Sequence, residues 1–378
     1  LKSFRLKPHL REIRQEQAGR TVLQQPHCAV MLVGAMPRAV HFPRRAFALS
    51  LFAALAAPAD AFFGPVIAMT AEPLALNDTS NVKGSFLVAW YVKWVESHGA
   101  RVVPIRFDAP DDEVDDILSR VNGVLFPGGG VGIGSRDRYG RFGKRVFDAA
   151  MKMQMPFWGT CLGFEQALLY SSGEDFPGPL TMGWESQPMF APLNLTEPQP
   201  EGATLLADWP EGLKKEAQHN LWTWHLHTMA VSTEDFARRP TLGDFWDVLA
   251  TNVDLRGKEF VSVVQARNGL PFYASQFHPE KNAHEWEVPH DCPVNGTLPV
   301  HDSGAIEVSN RFAAFFVDRT RSFRGFEFSQ EEFWKVSITQ WPLRIAKEVR
   351  GLEWAGAHME VYYFPPWSPS ERQAEVVV

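Results

Sequence analysis

Short apolar runs alternate with amphipathic helical patterns over residues 65–170, and this alternation constrains the fold more than any other feature of the chain. Buried strands are predicted at residues 65–69, 101–105, 123–126 and 156–158. Helices are predicted between and after them, at 85–98, 111–121, 139–153 and 162–170. Such alternation predicts an α/β fold, a three-layer α/β/α sandwich with a mostly parallel central sheet. Functional residues of such folds lie at the carboxyl ends of the strands.

The second half of the chain is less regular. Residues 173–245 contain strand-like runs and many prolines, and they are predicted to form an insertion over the cleft. Late strands are predicted at 245–250, 260–265, 272–277 and 361–364, with helices within 303–323 and 333–351.

A possible nucleophile lies where the fourth predicted strand ends. Residues 159–163 read Gly-Thr-Cys-Leu-Gly, the G-x-nucleophile-x-G form of a nucleophile elbow with cysteine in place of serine. Small residues on both sides let the backbone turn sharply and lift the Cys161 side chain above the sheet. A buried structural cysteine at a strand-to-helix turn is the alternative, because free cysteine is among the most buried residue types.

A base and its orienting group follow more than a hundred residues later. A nucleophilic thiolate needs a base, and His278 in the run Ser-Gln-Phe-His-Pro-Glu-Lys is the candidate. In an extended segment, side chains two residues apart point the same way. Glu280 can therefore hold the imidazole of His278 in one tautomer. Alone, His278 reads as a structural residue. Together with Cys161 it indicates a cysteine hydrolase that acts on an amide.

An acyl intermediate also needs donors for its oxyanion. The N–H of Leu162, directly after the nucleophile, is one candidate, and a loop N–H at Gly129 is the other. The alternative for residues 127–130 is a simple turn; they are no phosphate-binding loop, because no Gly-Lys-Ser/Thr follows. His225 and His227 are interpreted as structural imidazoles or substrate contacts rather than metal ligands, since no carboxylate or cysteine cluster accompanies them. No metal ion or other cofactor is expected.

The chain divides by charge. Residues 1–61 hold nine Lys/Arg and three Asp/Glu, whereas the formal net charge of the whole chain is −7. Residues 36–61 resemble a signal peptide, with arginines, a short apolar stretch at 46–57 and an Ala-x-Ala site at 59–61. An amphipathic or buried helix and an organelle presequence are the alternatives. Met36 is a candidate start, preceded by upstream translated sequence.

The predicted division is therefore an upstream segment with signal peptide (1–61), a catalytic domain (62–365) and a disordered tail (366–378). No bridge between Cys161 and Cys292 is expected, because a nucleophilic thiol must stay free. Glycosylation sequons begin at Asn77, Asn194 and Asn295. The acidic balance argues against a nucleic-acid partner, and the apolar stretch is too short to span a membrane. A homodimer is compatible with the sequence, which does not fix the oligomeric state.

These residues resemble those of the gamma-glutamyl hydrolases (folate gamma-glutamyl hydrolases), relatives of the class I glutamine amidotransferases. The resemblance covers roughly residues 64–325. The matching stretches are 91–93, 96–104, 123–129, 158–165, 192–196, 276–281 and 285–286. The run Trp-Gly-Thr-Cys-Leu-Gly-Phe-Glu and the later His-Pro-Glu-Lys with Glu-Trp are the most specific of them.

The resemblance implies a flavodoxin-like sandwich with Cys161 as nucleophile, His278 as base and Glu280 as the third member. It also implies that His227 lies in the cleft and that Glu165 helps to bind the substrate glutamate. The implied reaction is hydrolysis, by water, of γ-linked glutamates from poly-γ-glutamyl folates in a lysosomal, vacuolar or extracellular compartment. A polyanionic substrate further predicts a local basic patch. A glutamine amidotransferase and an inert binding protein on the same fold remain alternatives.

Overall fold

The computed structural model describes residues 64–74, 84–286, 300–323, 328–352 and 358–368. The predicted signal peptide, Cys292 and the sequons at Asn77 and Asn295 lie outside the described residues. Asn194, which begins the remaining sequon, is exposed. No helix within the described ranges is both long enough and apolar enough to cross a membrane.

The strands have bounds that keep most of the predicted order. They are β1 (Val66–Pro73), β2 (Ser85–Val88), β3 (Arg101–Arg106), β4 (Gly123–Phe126), β5 (Phe157–Thr160), β6 (Thr181–Ala191), β7 (Asn194–Leu195), β8 (Thr223–Ala230), β9 (Trp246–Val253), β10 (Glu259–Ala266), β11 (Phe272–Ser275), β12 (Leu343–Ile345) and β13 (Glu360–Phe364).

The helices are mostly short. They are α1 (Ala89–Glu96), α2 (Asp111–Arg120), α3 (Arg138–Met153), α4 (Leu162–Ser172), α5 (Glu211–Ala217), α6 (Thr233–Ala237), α7 (Pro240–Phe245), α8 (Lys281–His284), α9 (Ser303–Ser322) and α10 (Gln330–Val336). Two 3-10 helices follow α10, at Ile338–Gln340 and Ala346–Glu348.

The central strands of the large sheet are parallel and adjacent, in the order β3, β1, β4, β5 and β11. Antiparallel strands extend both sides: β10, β9 and β7 beyond β11, and β2, β13 and β12 from the end of β1. The carboxyl ends of β1, β4, β5 and β11 therefore meet along one edge. This edge is where the candidate functional residues lie.

Helices cover both faces of the sheet, which confirms the predicted three-layer sandwich. Phe157 faces one side, where its ring lies 5.4 Å from that of Phe147 in α3. Trp158, the next residue of β5, faces the other, with its ring 5.7 Å from that of Phe312 in α9. This alternation of side chains across a strand requires an apolar residue at nearly every position, because both faces are buried.

Two predicted helices differ in the structure. Residues 85–88 form β2 rather than the first turn of a helix, since their backbone pairs with β1 and β13. The predicted helix over 333–351 is largely replaced: α10 ends at Val336, and 3-10 turns and β12 follow. Pro342 helps to explain the break, because proline disfavours helix at the preceding residue.

The predicted insertion contains a small separate sheet. β6 and β8 pair antiparallel, with Ser186 opposite His227 and Met189 opposite His225. Residues of both strands line the pocket described below. The insertion thus forms one wall of the cleft.

Candidate active site

Cys161 occupies a strained turn between β5 and α4. Its φ of 51° and ψ of −104° are rare for a residue other than glycine. The flanking glycines allow close backbone approach: a Cβ on Gly163 would lie 2.2 Å from the carbonyl oxygen of Phe126. The Cys161 N–H donates to the Ser275 carbonyl at 2.9 Å, which ties the turn to the end of β11. This geometry is that of a nucleophile elbow.

His278 and Glu280 follow β11 and form a buried pair. Nδ1 of His278 lies 2.8 Å from Oε1 of Glu280, and the His278 N–H donates to the Trp224 carbonyl of β8. When Nδ1 carries the ring proton and donates it to Glu280, Nε2 is left as the acceptor that a general base needs. The carboxylate thus fixes the tautomer as well as the orientation.

Gly128 lies between the proposed nucleophile and base. A Cβ at this position would meet Cε1 of His278 at 2.6 Å and Cβ of Cys161 at 3.0 Å. The two side chains therefore flank the same glycine, although they are 117 residues apart (278 − 161). The structure thus brings Cys161, His278 and Glu280 together at the carboxyl edge of the sheet.

The proposed oxyanion donors line the pocket that holds the sulfur. The Leu162 N–H points at the Cys161 sulfur and lowers the pKa of the thiol. The Gly163 N–H donates to the Pro127 carbonyl at 3.2 Å, which holds the glycine loop against the elbow. Gly129 lines the same pocket as Leu162. Both predicted donors are therefore in the wall next to the thiol.

Burial sets the resting protonation of the thiol–imidazole pair. It raises the pKa of Cys161 well above its usual value, and Glu165, once it is ionised, and Glu280 raise it further. Burial also lowers the pKa of His278, although Glu280 opposes this effect. A raised thiol and a lowered imidazole favour the neutral pair over the ion pair. The thiol proton then moves to His278 during attack rather than before it.

Glu165 lies one turn after the nucleophile and is also buried. Burial raises its pKa to about 8, although its Oε1 accepts a hydrogen bond from Gln276 Nε2 at 3.1 Å. The side chain is thus largely neutral at neutral pH and carries a proton that it can donate. It lines the pocket, as expected of a residue that contacts substrate.

His227 faces the pocket, whereas His225 lies behind it. Nδ1 of His227 is 2.9 Å from the Met229 carbonyl, and its Nε2 is 3.1 Å from Nδ1 of His225. Burial lowers the pKa of His227 to about 3 and that of His225 as well, so both imidazoles are neutral. Within the described ranges, no three His, Cys, Asp or Glu side chains are grouped to hold a metal ion.

One pocket of about 590 Å³ contains the proposed catalytic residues together with Glu165 and His227, a size typical of small-molecule sites. Its lining includes Glu72, Tyr91, Gly128–Gly130, Asp137, Cys161, Leu162, Glu165, His227, His278, Glu280 and Lys281. Lys281 is the one Lys or Arg among the described lining residues, and its Nζ pairs with Glu285 and lies 4.8 Å above the Trp90 ring. The described lining residues therefore form no basic cluster, and the basic patch, which the sequence does not locate, stays a prediction.

Two residues of the site were not predicted. The Tyr91 hydroxyl accepts the Gly128 N–H at 2.8 Å and lies 3.2 Å from Nδ1 of His278, so it bridges the glycine loop and the base. Glu72 lies at the end of β1, against Gly129. A charged residue in the last positions of an otherwise apolar strand was the signal that could have found it.

The chain matches known proteins in sequence. Residues 84–289 match the model of the class I glutamine amidotransferase family. The matched range includes Cys161, His278 and Glu280, and the chain therefore belongs to this class.

Curated relatives identify the family within this class. Gamma-glutamyl hydrolase of Mus musculus is 36% identical over 242 residues, 62% of this chain and 71% of the relative. That of Homo sapiens is 31% identical over 282 residues, 73% and 84% of the two chains. Gamma-glutamyl hydrolase B of Dictyostelium discoideum is 29% identical over 273 residues, 71% and 75% of the two chains. The chain belongs to the gamma-glutamyl hydrolase family.

Proposed function

We propose that this protein hydrolyses the γ-glutamyl amide bonds of folate poly-γ-glutamates through a thiol nucleophile. The observation that carries the proposal is the single pocket in which a cysteine on a nucleophile elbow and a carboxylate-bound histidine flank Gly128. Membership of the gamma-glutamyl hydrolase family supports the γ-linked substrate.

The reaction has two halves. Cys161 Sγ attacks the γ-carbonyl carbon while His278 Nε2 takes the thiol proton, and the N–H groups of Leu162 and Gly129 stabilise the oxyanion. When the tetrahedral intermediate collapses, the C–N bond breaks and His278 returns the proton to the leaving amine. Water, deprotonated by His278, then attacks the thioester, and the carboxylic acid and free thiol are released. Glu280 holds the imidazole throughout.

A glutaminase of the amidotransferase type is the second candidate, because the class I family model spans residues 84–289. Both reactions use a γ-amide and the same three side chains. They differ in the leaving group, which is ammonia for glutamine and an amino acid or peptide for a folyl polyglutamate.

The deciding experiment measures both activities with the same protein. Wild type and Cys161→Ala are incubated with pteroyl-tri-γ-glutamate and, separately, with glutamine. We expect release of glutamate or a glutamyl peptide by wild type, and a rate at least a thousandfold lower for Cys161→Ala, roughly as for loss of a catalytic nucleophile. Ammonia release as the faster reaction would favour the glutaminase, and equal rates for the two proteins would exclude the thiol mechanism.

We further propose that the chain enters the secretory pathway, with a lysosomal, vacuolar or extracellular destination, and forms a homodimer. The signal-like pattern at residues 36–61 supports the route, and the exposed Asn194 is a candidate glycosylation site. N-terminal sequencing of the secreted protein tests the cleavage; a mature N-terminus well before residue 62 would contradict it. Light scattering tests the dimer.

A further inference from the structure

Glu72 is a buried carboxyl group in the pocket that the mechanism does not use. It lies on β1, at the edge of the sheet where the proposed catalytic residues meet, and only 3% of its surface is exposed. Its Oε1 has no hydrogen-bond partner, and no ion pair to Glu72 exists among the described residues. A buried polar atom without a partner is costly, and in a pocket a ligand can supply the missing bond.

The carboxyl group of Glu72 lies directly against the glycine loop. A Cβ at Gly129 would be 1.8 Å from Oε1 of Glu72, so only a glycine leaves room for this carboxyl group. Gly129 is the proposed oxyanion donor and lines the pocket together with Cys161. A group that binds beside the reacting carbonyl would therefore come close to Glu72.

The surroundings keep Glu72 neutral. Burial raises its pKa well above the usual value. The ionisable groups that face it are the phenols of Tyr91 from α1 and Tyr139 from α3, whose own pKa values burial raises well above the usual range. Both phenols are thus uncharged. Glu72 consequently carries a proton that it can donate.

We propose that Glu72 is a further substrate-recognition residue, whose neutral carboxyl group donates a hydrogen bond to a carboxylate of the glutamyl substrate. The inference rests on the proposed function. A hydrogen bond from a neutral acid to a carboxylate is charge-assisted, whereas an ionised Glu72 would repel the same group. Because Lys281 is the one Lys or Arg among the described lining residues, a neutral Glu72 adds a second neutral acid donor beside Glu165.

The test compares Glu72→Gln, which keeps a donor but cannot ionise, with Glu72→Leu, which has none. KM and kcat for pteroyl-tri-γ-glutamate are measured from mildly acidic to mildly alkaline pH. We expect Glu72→Leu to raise KM roughly tenfold or more at acidic pH, with a smaller change in kcat. Glu72→Gln should stay close to wild type at acidic pH and lose the part of the alkaline rise in KM that ionisation of Glu72 causes.

Two controls separate the effect of Glu72 on KM from other effects. Glu165→Gln cannot ionise, so it removes from the pH profile of KM the titration of the second neutral acid, whose pKa is about 8. Glu96 is a half-buried glutamate that also has a raised pKa but does not line the pocket. Glu96→Gln should leave the pH profile of KM unchanged. Thermal melting and thiol labelling of Cys161 establish that each variant is folded.

The outcomes distinguish this inference from the proposed function. If wild type hydrolyses the substrate and folded Glu72→Leu keeps the wild-type KM at acidic pH, the recognition role is wrong although the enzyme assignment stands. The same holds if folded Glu72→Gln, which keeps a donor, raises KM at acidic pH as much as Glu72→Leu does. If wild type does not hydrolyse it and Cys161→Ala does not bind it in calorimetry, the proposed function itself fails.

Discussion

At the scale of single residues, the phenol of Tyr91 connects two parts of the site that the sequence keeps far apart. It accepts the Gly128 N–H and lies within hydrogen-bond distance of His278. The base therefore has a second fixed partner besides Glu280. Tyr91 acts on the base through these contacts, so we interpret it as a positioning residue.

Tyr91→Phe removes both contacts while it keeps the ring. We expect kcat/KM to fall roughly tenfold, since a buried hydrogen bond of this kind is worth about 1–3 kcal/mol. Tyr170→Phe is the matched control: its hydroxyl bonds the Gly140 carbonyl outside the pocket, so it should lower stability but not kcat/KM. Equal losses of activity in the two variants would refute the positioning role.

The pH dependence of kcat/KM tests the pairing of His278 with Glu280. His278 must be neutral to accept the thiol proton, and burial lowers its pKa, so wild-type kcat/KM should persist below the usual histidine range before it falls. Glu280 raises the pKa of His278. Glu280→Gln should therefore move the acid limb to still lower pH, while the maximum falls roughly a hundredfold or more. A limb that moves to higher pH contradicts this assignment, and steady-state rates across pH give the answer.

At the scale of elements, the elbow depends on close contact between β4, β5 and α4. Gly163→Ala would place a Cβ 2.2 Å from a backbone oxygen that cannot move aside, so we expect a loss of roughly 2–4 kcal/mol in the free energy of unfolding. Gly212→Ala, in α5 with open space around it, should instead stabilise by about 0.5–1 kcal/mol. Urea denaturation measures both. An equally stable Gly163→Ala would show that the elbow is not tightly packed.

The sequence predicts elements whose cause is local and misses those whose cause is distant. β5 and α4 follow from an apolar run and a glycine-flanked turn, and their bounds agree closely with prediction. Residues 85–88 have apolar spacing that suits a helix equally well. Pairing with β1 and with β13, more than 270 residues later, makes them a strand. The same holds in the site: Cys161, His278 and Glu280 stand in recognisable runs, whereas Glu72 and Tyr91 become part of it through packing alone.

At the scale of the whole molecule, the end of the described chain completes the sheet. β13 pairs with both β2 and β12, and its Val361 and Phe364 are fully buried. Beyond it, the Trp367 N–H donates to Asp108 at 2.8 Å, so residues at the start of the predicted tail still contact the fold. Residues 358–368 are thus part of the folded domain, and β13 is a strand of its large sheet.

Two truncations test this part of the domain. Removal of residues 358–378 exposes the edge of β2 and the apolar side chains beneath β13, so we expect aggregation or loss of cooperative melting. Removal of residues 369–378 should leave melting temperature and turnover unchanged. A soluble, fully active protein without residues 358–378 would show that β13 is dispensable. Calorimetry and activity of the purified proteins give the comparison.

The presence of one Lys, Lys281, and no Arg among the described lining residues has a consequence for selectivity. A groove rich in Lys and Arg grips longer anionic chains more tightly with every added charge, and dissolved salt weakens that grip. Lys281 offers one such contact, and it is already engaged with Glu285. Discrimination between short and long glutamate tails must then come from the shape of the cleft and the reach of its neutral donors. We therefore expect substrate binding by this enzyme to change little with ionic strength and strongly with acidity.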